Sequence, residues 1–345
     1  MNASVASALG VGLLAAAISA ACTPPLRRWL ELRRLLDQPG SRRSHRRPTP
    51  RGGGLAVMAA LALVMLVWPM AAISWWPVMA LVMSMAVLGW FDDCHDLAPG
   101  WRLLVQLLVM TAFVGLIGGI EAIILPGVGR LEQPLLWSVL AVVAGIWMIN
   151  LHNFMDGSDG LAAMQAIWTG LVMGVLFLRA EQVGTALFAI ALAGAYGGFL
   201  VWNRPPATVF MGDVGSLPLG AAVAGLAVLG AASGSVSVWL SAMVSAVFVA
   251  DATVTLLSRA VRGERWYTAH RQHAYQRLIA SGWSHGQVLG LYALVNICVV
   301  LPCVALGAAR PQLQAMLAAG LTVLIALGCI VVRSATTNKK TKVEE

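Results

Sequence analysis

Long apolar runs separated by short polar segments extend through nearly the whole chain. A helix that crosses a bilayer needs about 20 mostly apolar residues. We therefore predict an all-α, polytopic membrane protein with about eleven transmembrane helices, forming one domain over residues 1–345 with a tail at 334–345. The predicted spans are 2–24, 54–70, 75–91, 102–119, 135–151, 161–178, 183–202, 216–232, 238–258, 286–308 and 313–333.

Composition and charge support this prediction and orient the chain. The sequence is 59% hydrophobic and 11% charged, whereas soluble proteins carry about 25% charged residues. All but three of the 23 lysines and arginines fall in alternate connections or at the helix ends beside them. Because cytoplasmic loops carry the excess of basic residues, we predict an external N-terminus and a cytoplasmic C-terminus. The basic rim would face anionic lipids, and no motif indicates nucleic-acid binding.

Aspartates are concentrated in three short clusters at the edges of apolar runs. The clusters contain Asp92, Asp93 and Asp96, then Asp156 and Asp159, then Asp213. Carboxylates at a membrane border are costly to hold unless they serve a function. Clusters that contain no lysine favour a divalent cation and a phosphate-bearing substrate. The positive-inside orientation places all three clusters, and so the predicted active site, on the cytoplasmic face.

The first cluster pairs adjacent acids. Asp92 and Asp96 are four residues apart, so a continuing helix would place them on one face with Asp93 beside them. Neighbouring carboxylates repel each other unless a cation neutralises them. This arrangement suits a metal site or a general base beside a metal, and the simpler alternative is a solvated helix end.

The second cluster belongs to a polar series with a spacing of three. Asn150, Asn153, Asp156 and Asp159 would form a polar ridge on a helical or tightly turning backbone. The intervening glycines allow a ligand to approach the backbone closely. The alternative is that one aspartate caps the following helix, which would leave the rest of the ridge unexplained.

The third cluster is a single acid between glycines. Asp213 precedes an apolar helix, where a carboxylate could bind a metal while backbone N–H groups meet phosphate. An ordinary turn has the same sequence pattern.

A cytoplasmic loop contributes histidines and arginines. His270, His273 and Arg277 would share one helix face, with Arg271 beside them. Such residues suit diphosphate recognition, since arginine donates paired hydrogen bonds. Zinc binding by the two histidines is the alternative, but no third ligand is nearby. The role of Asp251, inside the ninth predicted helix, stays open.

In this order the segments resemble the polyprenyl-phosphate N-acetylhexosamine-1-phosphate transferase family, which includes the MraY and WecA types of bacterial envelope enzyme. The resemblance covers nearly the whole chain. It rests on residues 45–54, Asp92-Asp93-x-x-Asp96, Asn153-x-x-Asp156-Gly-x-Asp159-Gly-Leu, Phe-Met-Gly-Asp213-x-Gly-Ser and the histidine loop.

The resemblance implies a reaction and a role for each residue. A sugar-1-phosphate would pass from a UDP-N-acetylhexosamine to undecaprenyl phosphate at the bacterial inner membrane, releasing UMP. Magnesium, or manganese, would be the cofactor, and the resemblance suggests a homodimer. The implied metal ligands are Asn153 and Asp213, and the implied catalytic acids are Asp92, Asp93 and Asp156. The implied substrate-binding residues are Arg102, Asn150, Asp159, Phe210, His270, Arg271 and His273.

The histidine loop distinguishes branches of this family. The muramyl-pentapeptide branch has consecutive histidines, whereas this loop reads His270-Arg-Gln-His273. We therefore expect the branch that initiates O-antigen or other surface polysaccharides, with N-acetylglucosamine or a deoxy relative such as N-acetylfucosamine or N-acetylquinovosamine as the donor sugar. A phospho-N-acetylmuramoyl-pentapeptide transferase-like step is the alternative.

Two other classes of membrane protein are less consistent with the pattern. A cation-coupled transporter would carry acids near helix midpoints and an inverted repeat, whereas only Asp251 lies mid-helix. A CDP-alcohol transferase would need an arginine soon after Asp156-Gly157, and the sequence there lacks one.

Overall fold

A computed structural model describes residues 2–37, 48–68, 74–125, 128–264 and 271–341. These residues form helices joined by short connections, as the apolar runs predict, and two small β-hairpins, which the sequence analysis did not predict. The helices before the second hairpin are α1 (Asn2–Leu32), α2 (Gly54–Val67), α3 (Trp76–His95) and α4 (Pro99–Leu116). The helices after it are α5 (Pro134–Phe154), α6 (Leu161–Arg179), α7 (Val183–Asn203), α8 (Asp213–Ala232), α9 (Val238–Val261), α10 (Ala274–Ala280), α11 (His285–Val295), α12 (Leu301–Ala309) and α13 (Gln314–Thr341).

The prediction of an all-α, multi-pass membrane protein is confirmed, with one change in the number of spans. In the described part of the chain, ten helical segments are long and apolar enough to cross a membrane. One of them runs from His285 to Ala309, because a π-helical turn at Asn296–Val300 joins α11 to α12. The predicted span at 54–70 is the exception, since α2 has 14 residues and the backbone at Trp68 is extended.

The most buried spanning helix is α8, which packs against α3 and α5. Of the residues in its apolar stretch, 83% are buried, compared with 22% in α1 and α4. Glycine and alanine make up much of α8, and small residues let membrane helices approach closely. The position of Asp213, the first residue of this central helix, is therefore well defined.

The two hairpins are short. Strand β1 (Leu36–Asp37) pairs with β2 (Thr49–Pro50) just before α2, and β3 (Ala122–Leu125) pairs with β4 (Gly129–Glu132) between α4 and α5. The residues after β2 continue along the segment that leads into α8. Phe210 N–H donates to the Pro50 carbonyl (2.8 Å), and Gly54 N–H donates to the Met211 carbonyl (2.8 Å). This pairing brings Arg51 next to the first turn of α8.

Candidate active site

The first turn of α8 is held by the end of α3. Both oxygens of Asp93 accept backbone hydrogen bonds, from the N–H groups of Asp213 (3.0 Å) and Val214 (3.0 Å). A carboxylate at this place satisfies amides that a helix start leaves without partners. Glycines make the close approach possible: a Cβ on Gly89 would overlap the Asp213 carbonyl, and Gly212 has a φ of 75° with Asp93 Oδ2 beside it.

Arg51 joins the two acids of this junction. Its Nε lies 2.8 Å from Asp93 Oδ1, and its Nη2 lies 2.7 Å from Asp213 Oδ1. Burial disfavours the charged form of Arg51, but Asp213 and Asp93 outweigh it, so the pKa of the guanidinium lies above its usual value. The site residues proposed from the sequence did not include Arg51. The sequence feature that marks Arg51 is its place directly before three glycines, which allow the backbone to pair with residues 210 and 211.

Asn153 and Arg102 complete the surroundings of Asp213. Asn153 Nδ2 donates to Asp213 Oδ1 (2.8 Å) and to Ser216 Oγ (2.9 Å). Arg102 forms an ion pair with Asp92 (2.7 Å) and lies 3.9 Å from Asp213 Oδ2. The ends of α3 and α5 and the starts of α4 and α8 therefore meet at one point, which carries acids of the first and third clusters together with Asn153.

A cavity of about 370 Å³ opens beside this junction, and we call it the acidic cavity. Of the residues predicted from the sequence, six line it: Asn153, Asp156, Asp159, Phe210, Asp213 and Arg271. Arg51 and Asp37 also line it, and neither was predicted as a site residue. Carboxylates, an amide and arginines thus face one space at a single end of the helices.

The other predicted site residues that the structure describes are not part of the cavity lining. Asp92 and Asp93 are almost fully enclosed, with 4% and 3% of their side chains exposed. Asn150 donates to Gln106 Oε1 (2.6 Å), which ties α5 to α4. His273 is buried and stacks on Tyr275, while His270 lies outside the described residues.

Asp96 does not share a face with Asp92 as expected. The helix ends at His95, and Asp96 takes a left-handed conformation (φ 47°) with its side chain exposed. Asp92 is instead buried and accepts the Leu97 N–H at 2.9 Å. A motif of three aspartates in the sequence therefore contributes two acids to the junction, because the backbone turns away after the second.

Asp159 and Asp156 occupy different environments within the acidic cavity. Asp159 Oδ2 accepts the Ala207 N–H (3.0 Å), and its own N–H donates to His285 Nδ1 (3.1 Å). No sequence pattern had pointed to His285, which begins α11 far along the chain. Burial raises the pKa of the Asp156 carboxyl well above its usual range, the charge of Asp213 adds to this, and Arg51 opposes it.

The donor atoms suit magnesium. Asp213 and Asn153 lie side by side, and Asp156 and Asp159 line the same cavity. The Asn153 amide turns its nitrogen toward Asp213 Oδ1 and its oxygen toward Arg102 Nη2 (3.5 Å), so the amide group would have to rotate to offer its oxygen to a metal beside Asp213. Among the described residues, no three histidine, cysteine or acidic side chains form a metal cage. Mg²⁺ usually takes only one or two protein carboxylates and completes its shell with water and substrate phosphates. An open site of this kind therefore fits the ion.

Asp251 has a structural role that the sequence left open. It is fully buried in α9 and accepts hydrogen bonds from the Ala274 N–H (2.7 Å) and the Tyr292 hydroxyl (2.6 Å). Arg259, two turns further along α9, forms an ion pair with Glu264 at 2.7 Å. Asp251 thus fixes the start of α10 against α9 and α11.

Replacing Asp251 by asparagine should destabilise the protein. The change leaves a buried amide group facing N–H and O–H donors, and an unsatisfied buried group costs about 1–3 kcal/mol. We expect a lower thermal midpoint of the purified protein, followed by tryptophan fluorescence. Tyr292→Phe is the matched control, since it removes one donor and keeps the carboxylate, and should cost about 1 kcal/mol. An unchanged midpoint for Asp251→Asn would contradict this role.

Comparison with known proteins identifies the family. The model of glycosyl transferase family 4 matches residues 75–231. A phospho-N-acetylmuramoyl-pentapeptide-transferase from Synechococcus sp. (strain JA-3-3Ab) is 33% identical over 320 residues, covering 86% of this chain and 91% of that protein. The chain belongs to glycosyl transferase family 4. The enzyme of the same name from Synechococcus sp. (strain JA-2-3B'a(2-13)) is 33% identical over 317 residues, covering 85% of this chain and 88% of that protein.

The family match and the site geometry coincide. The matched residues extend from the start of α3 to the end of α8, which carry all three acidic clusters. Arg51 and Arg271 reach the acidic cavity from outside the matched residues. The residues matched by the family model therefore include all the acids of the junction, while both arginines in the cavity lining come from other parts of the chain.

Proposed function

We propose that this membrane protein transfers a phosphorylated N-acetylhexosamine from a UDP-linked donor to a polyprenyl phosphate such as undecaprenyl phosphate. An oxygen of the lipid phosphate would attack the phosphorus that carries the sugar, and the bond from that phosphorus to the bridging oxygen would break, releasing UMP. The observation that supports this proposal is the acidic cavity, where Asn153, Asp156, Asp159 and Asp213 face one space together with Arg51 and Arg271.

Charge neutralisation is the main task in such a reaction. Two anions must approach each other, and phosphoryl transfer depends chiefly on positioning and electrostatic stabilisation. We infer that Asp213 and Asn153 hold a magnesium ion, which would neutralise the donor diphosphate. Arg271 lies in the cavity lining, where it could bind phosphate oxygens in pairs. Phe210 and Asp159 line the same space and would receive the uracil ring.

Asp156 is the acid best placed to accept a proton from the lipid phosphate. A general base must lie within hydrogen-bond reach of the proton that it removes, and it is more effective when its pKa is closer to neutrality. Asp156 lines the acidic cavity and its pKa is raised. Asp92 and Asp93 are enclosed by their own partners, so their part in activating the lipid phosphate stays a prediction.

The names of the relatives favour a muramoyl-pentapeptide donor, whereas the histidine loop predicts a surface-polysaccharide donor. Those reported above are named phospho-N-acetylmuramoyl-pentapeptide-transferases and align over most of the chain. We therefore propose UDP-N-acetylmuramoyl-pentapeptide as the first donor to test, in place of the surface-polysaccharide step. A donor without peptide is the second candidate, because the loop sequence His270-Arg-Gln-His273 lacks consecutive histidines.

A donor panel tests the proposal. Purified protein is incubated with undecaprenyl phosphate, magnesium and one of three donors: UDP-N-acetylmuramoyl-pentapeptide, UDP-N-acetylglucosamine or a UDP-N-acetyl-deoxyhexosamine. We expect UMP release that requires the lipid, stops when EDTA removes the metal and returns with added Mg²⁺ or Mn²⁺. The donor that gives UMP identifies the sugar. Lack of lipid-dependent UMP from every donor, with intact protein, would contradict the proposal.

Orientation is part of the same proposal. The donor is water-soluble and the acceptor is held in the bilayer, so the acidic cavity should open at the cytoplasmic border. The basic residues of alternate connections support this orientation. Labelling of single cysteines placed in the tail, in inside-out and right-side-out vesicles, would determine the side of the C-terminus.

A further inference from the structure

His285, the first residue of α11, lies against the turn that carries Asp159. Its Nδ1 atom is 3.1 Å from the backbone nitrogen of Asp159 and 3.1 Å from Ser158 Oγ. Ser158 and Asp159 both line the acidic cavity, whereas His285 is not part of the lining. The contact therefore joins a helix from late in the chain to one wall of the acidic cavity.

The hydrogen bond from Asp159 assigns the proton of the His285 ring. A backbone N–H can only donate, so Nδ1 accepts it and the proton of the uncharged ring lies on Nε2. Asp159 Oδ1 also lies 3.5 Å from Nδ1. While Nδ1 accepts the N–H, it has no proton to donate to this oxygen. His285 therefore holds the backbone of Asp159 and leaves the carboxylate oxygen Oδ1 to other donors.

The Asp159 carboxylate is fixed through its other oxygen. Oδ2 accepts the Ala207 N–H at 3.0 Å. In the part of the chain that the structure describes, no group donates a hydrogen bond to Oδ1. The side chain lines the acidic cavity and is 15% exposed. Oδ1 is therefore an acceptor that a ligand in the acidic cavity can use.

A buried asparagine sets the distance between Asp159 and Phe210. Asn203 Oδ1 accepts the Gly160 N–H (3.0 Å), and Asn203 Nδ2 donates to the Val209 carbonyl (2.9 Å). Gly160 directly follows Asp159, and Val209 directly precedes Phe210. The two residues proposed to receive uracil are thus linked through one side chain. With this distance set, the direction of the Asp159 carboxylate depends on the contacts of its own residue.

A fixed carboxylate oxygen discriminates between pyrimidine bases. Uracil carries an N–H donor at N3, whereas cytosine carries an acceptor nitrogen there and has its nearest donor, the amino group, to one side. A site that hydrogen-bonds a donor on its ligand strongly rejects an analogue without that donor. A carboxylate that is free to move would instead turn to the amino group of cytosine. Selection of uracil therefore requires that the carboxylate is held in place.

We propose that His285 is a positioning residue for the uracil of the donor. By accepting the Asp159 N–H, it holds the Asp159 carboxylate where Oδ1 selects a base with a donor at N3. This role rests on the proposed function, in which Phe210 and Asp159 receive the uracil ring. It adds a residue of α11, which lies beyond the residues matched by the family model.

Nucleotide binding to the purified protein tests the proposal. UMP and CMP are titrated with magnesium into the wild type and into His285→Ala, by isothermal titration calorimetry. We expect the wild type to prefer UMP. We expect His285→Ala to bind UMP about five- to tenfold more weakly, the effect of losing one hydrogen bond, with its affinity for CMP unchanged. The same ratio of UMP to CMP affinity in both proteins would overturn the proposal.

The conservative variant His285→Asn tests whether an acceptor at this place is sufficient. The asparagine Oδ1 takes the position of Nδ1 and accepts the Asp159 N–H, whereas alanine has no acceptor. We expect UMP affinity within about twofold of the wild type, because the hydrogen bond is kept. Binding as weak as in His285→Ala would contradict a role through this hydrogen bond.

Gln287→Ala is the matched control for a general loosening of α11. Gln287 is exposed, and its Oε1 accepts the Ser284 N–H at 2.9 Å in a capping box at the start of the same helix. The change removes this contact and leaves His285 in place. We expect a lower thermal midpoint with an unchanged ratio of UMP to CMP affinity. A loss of selectivity equal to that of His285→Ala would show that helix stability, and not His285, controls the base.

Transfer kinetics distinguish a failure of this role from a failure of the proposed function. A contact to the base is made equally in the ground state and the transition state. His285→Ala should therefore raise the KM for the UDP-linked donor about five- to tenfold and change kcat less than about twofold. A fall in kcat at unchanged KM would overturn the positioning role and leave the proposed transfer standing. A wild-type protein that binds no uridine nucleotide would contradict both.

Discussion

Asp213→Asn should strongly reduce phosphosugar transfer while leaving the protein folded. Asp213 lines the acidic cavity and contacts both Arg51 (2.7 Å) and Asn153 (2.8 Å). Asparagine keeps the shape of the side chain but loses the negative charge that would bind magnesium. Loss of one charge-stabilising group in an enclosed active site costs about 10²- to 10³-fold in rate, and we expect a decrease of that order in kcat/KM.

The measurement is UMP release over a range of magnesium concentrations. A variant with a weakened metal site should need more magnesium, so part of the lost activity should return at high concentration. The matched control is Asp96→Asn, because Asp96 is exposed at the end of the same acidic junction and asparagine tolerates its positive φ. Wild-type activity of Asp213→Asn at low magnesium would remove the basis for the proposed metal site.

Arg51→Gln should lower both activity and stability. Arg51 links Asp93 (2.8 Å) to Asp213 (2.7 Å), and these side chains are only 3% and 13% exposed. Removing one partner of a buried ion pair costs about 3–5 kcal/mol, and the partial exposure of Arg51 reduces this to about 2 kcal/mol. Because Asp213 would also lose its orientation, we expect activity to fall about 10- to 100-fold, as for groups that orient metal ligands.

A series at this position separates charge from geometry. Arg51→Lys keeps the positive charge but cannot contact two carboxylates through a planar fork, so its activity should lie between those of the wild type and Arg51→Gln. Arg204→Gln is the control, since Arg204 is exposed at the end of α7. Thermal midpoints and kcat/KM are measured for all three variants. Full activity in Arg51→Gln would contradict the proposed role of Arg51 in orienting the Asp213 carboxylate.

The sequence prediction was most accurate for features that depend on a single helix, such as the positions of the spans. Ten of the eleven predicted spans have a counterpart of sufficient length among the described residues, because about 20 apolar residues form a helix in a bilayer whatever their neighbours. The span at 54–70 was predicted too long, since the helix ends at Val67 and the backbone at Trp68 is extended. Hydropathy alone does not indicate where an apolar helix stops.

Predictions for individual side chains were less complete. Asp96 was expected to share a face with Asp92, but it lies beyond the last turn of α3 and is exposed. Arg51 and His285 reach the site from segments that are distant along the chain. Three following glycines were the only sequence signal for Arg51, and no pattern indicated His285. Asn150 fits the three-residue spacing yet pairs with Gln106 between two helices.

The sequence by itself determined that the chain crosses the membrane many times and that its acids gather at helix ends. Both follow from local rules, since apolar length sets the spans and the cost of buried charge confines acids to the borders. Only the tertiary structure decided which acids share a cavity and which hold helices together. Asp213 faces the acidic cavity while Asp93 binds the first turn of α8, because the close packing of α3 against α8 sets the direction of each carboxylate.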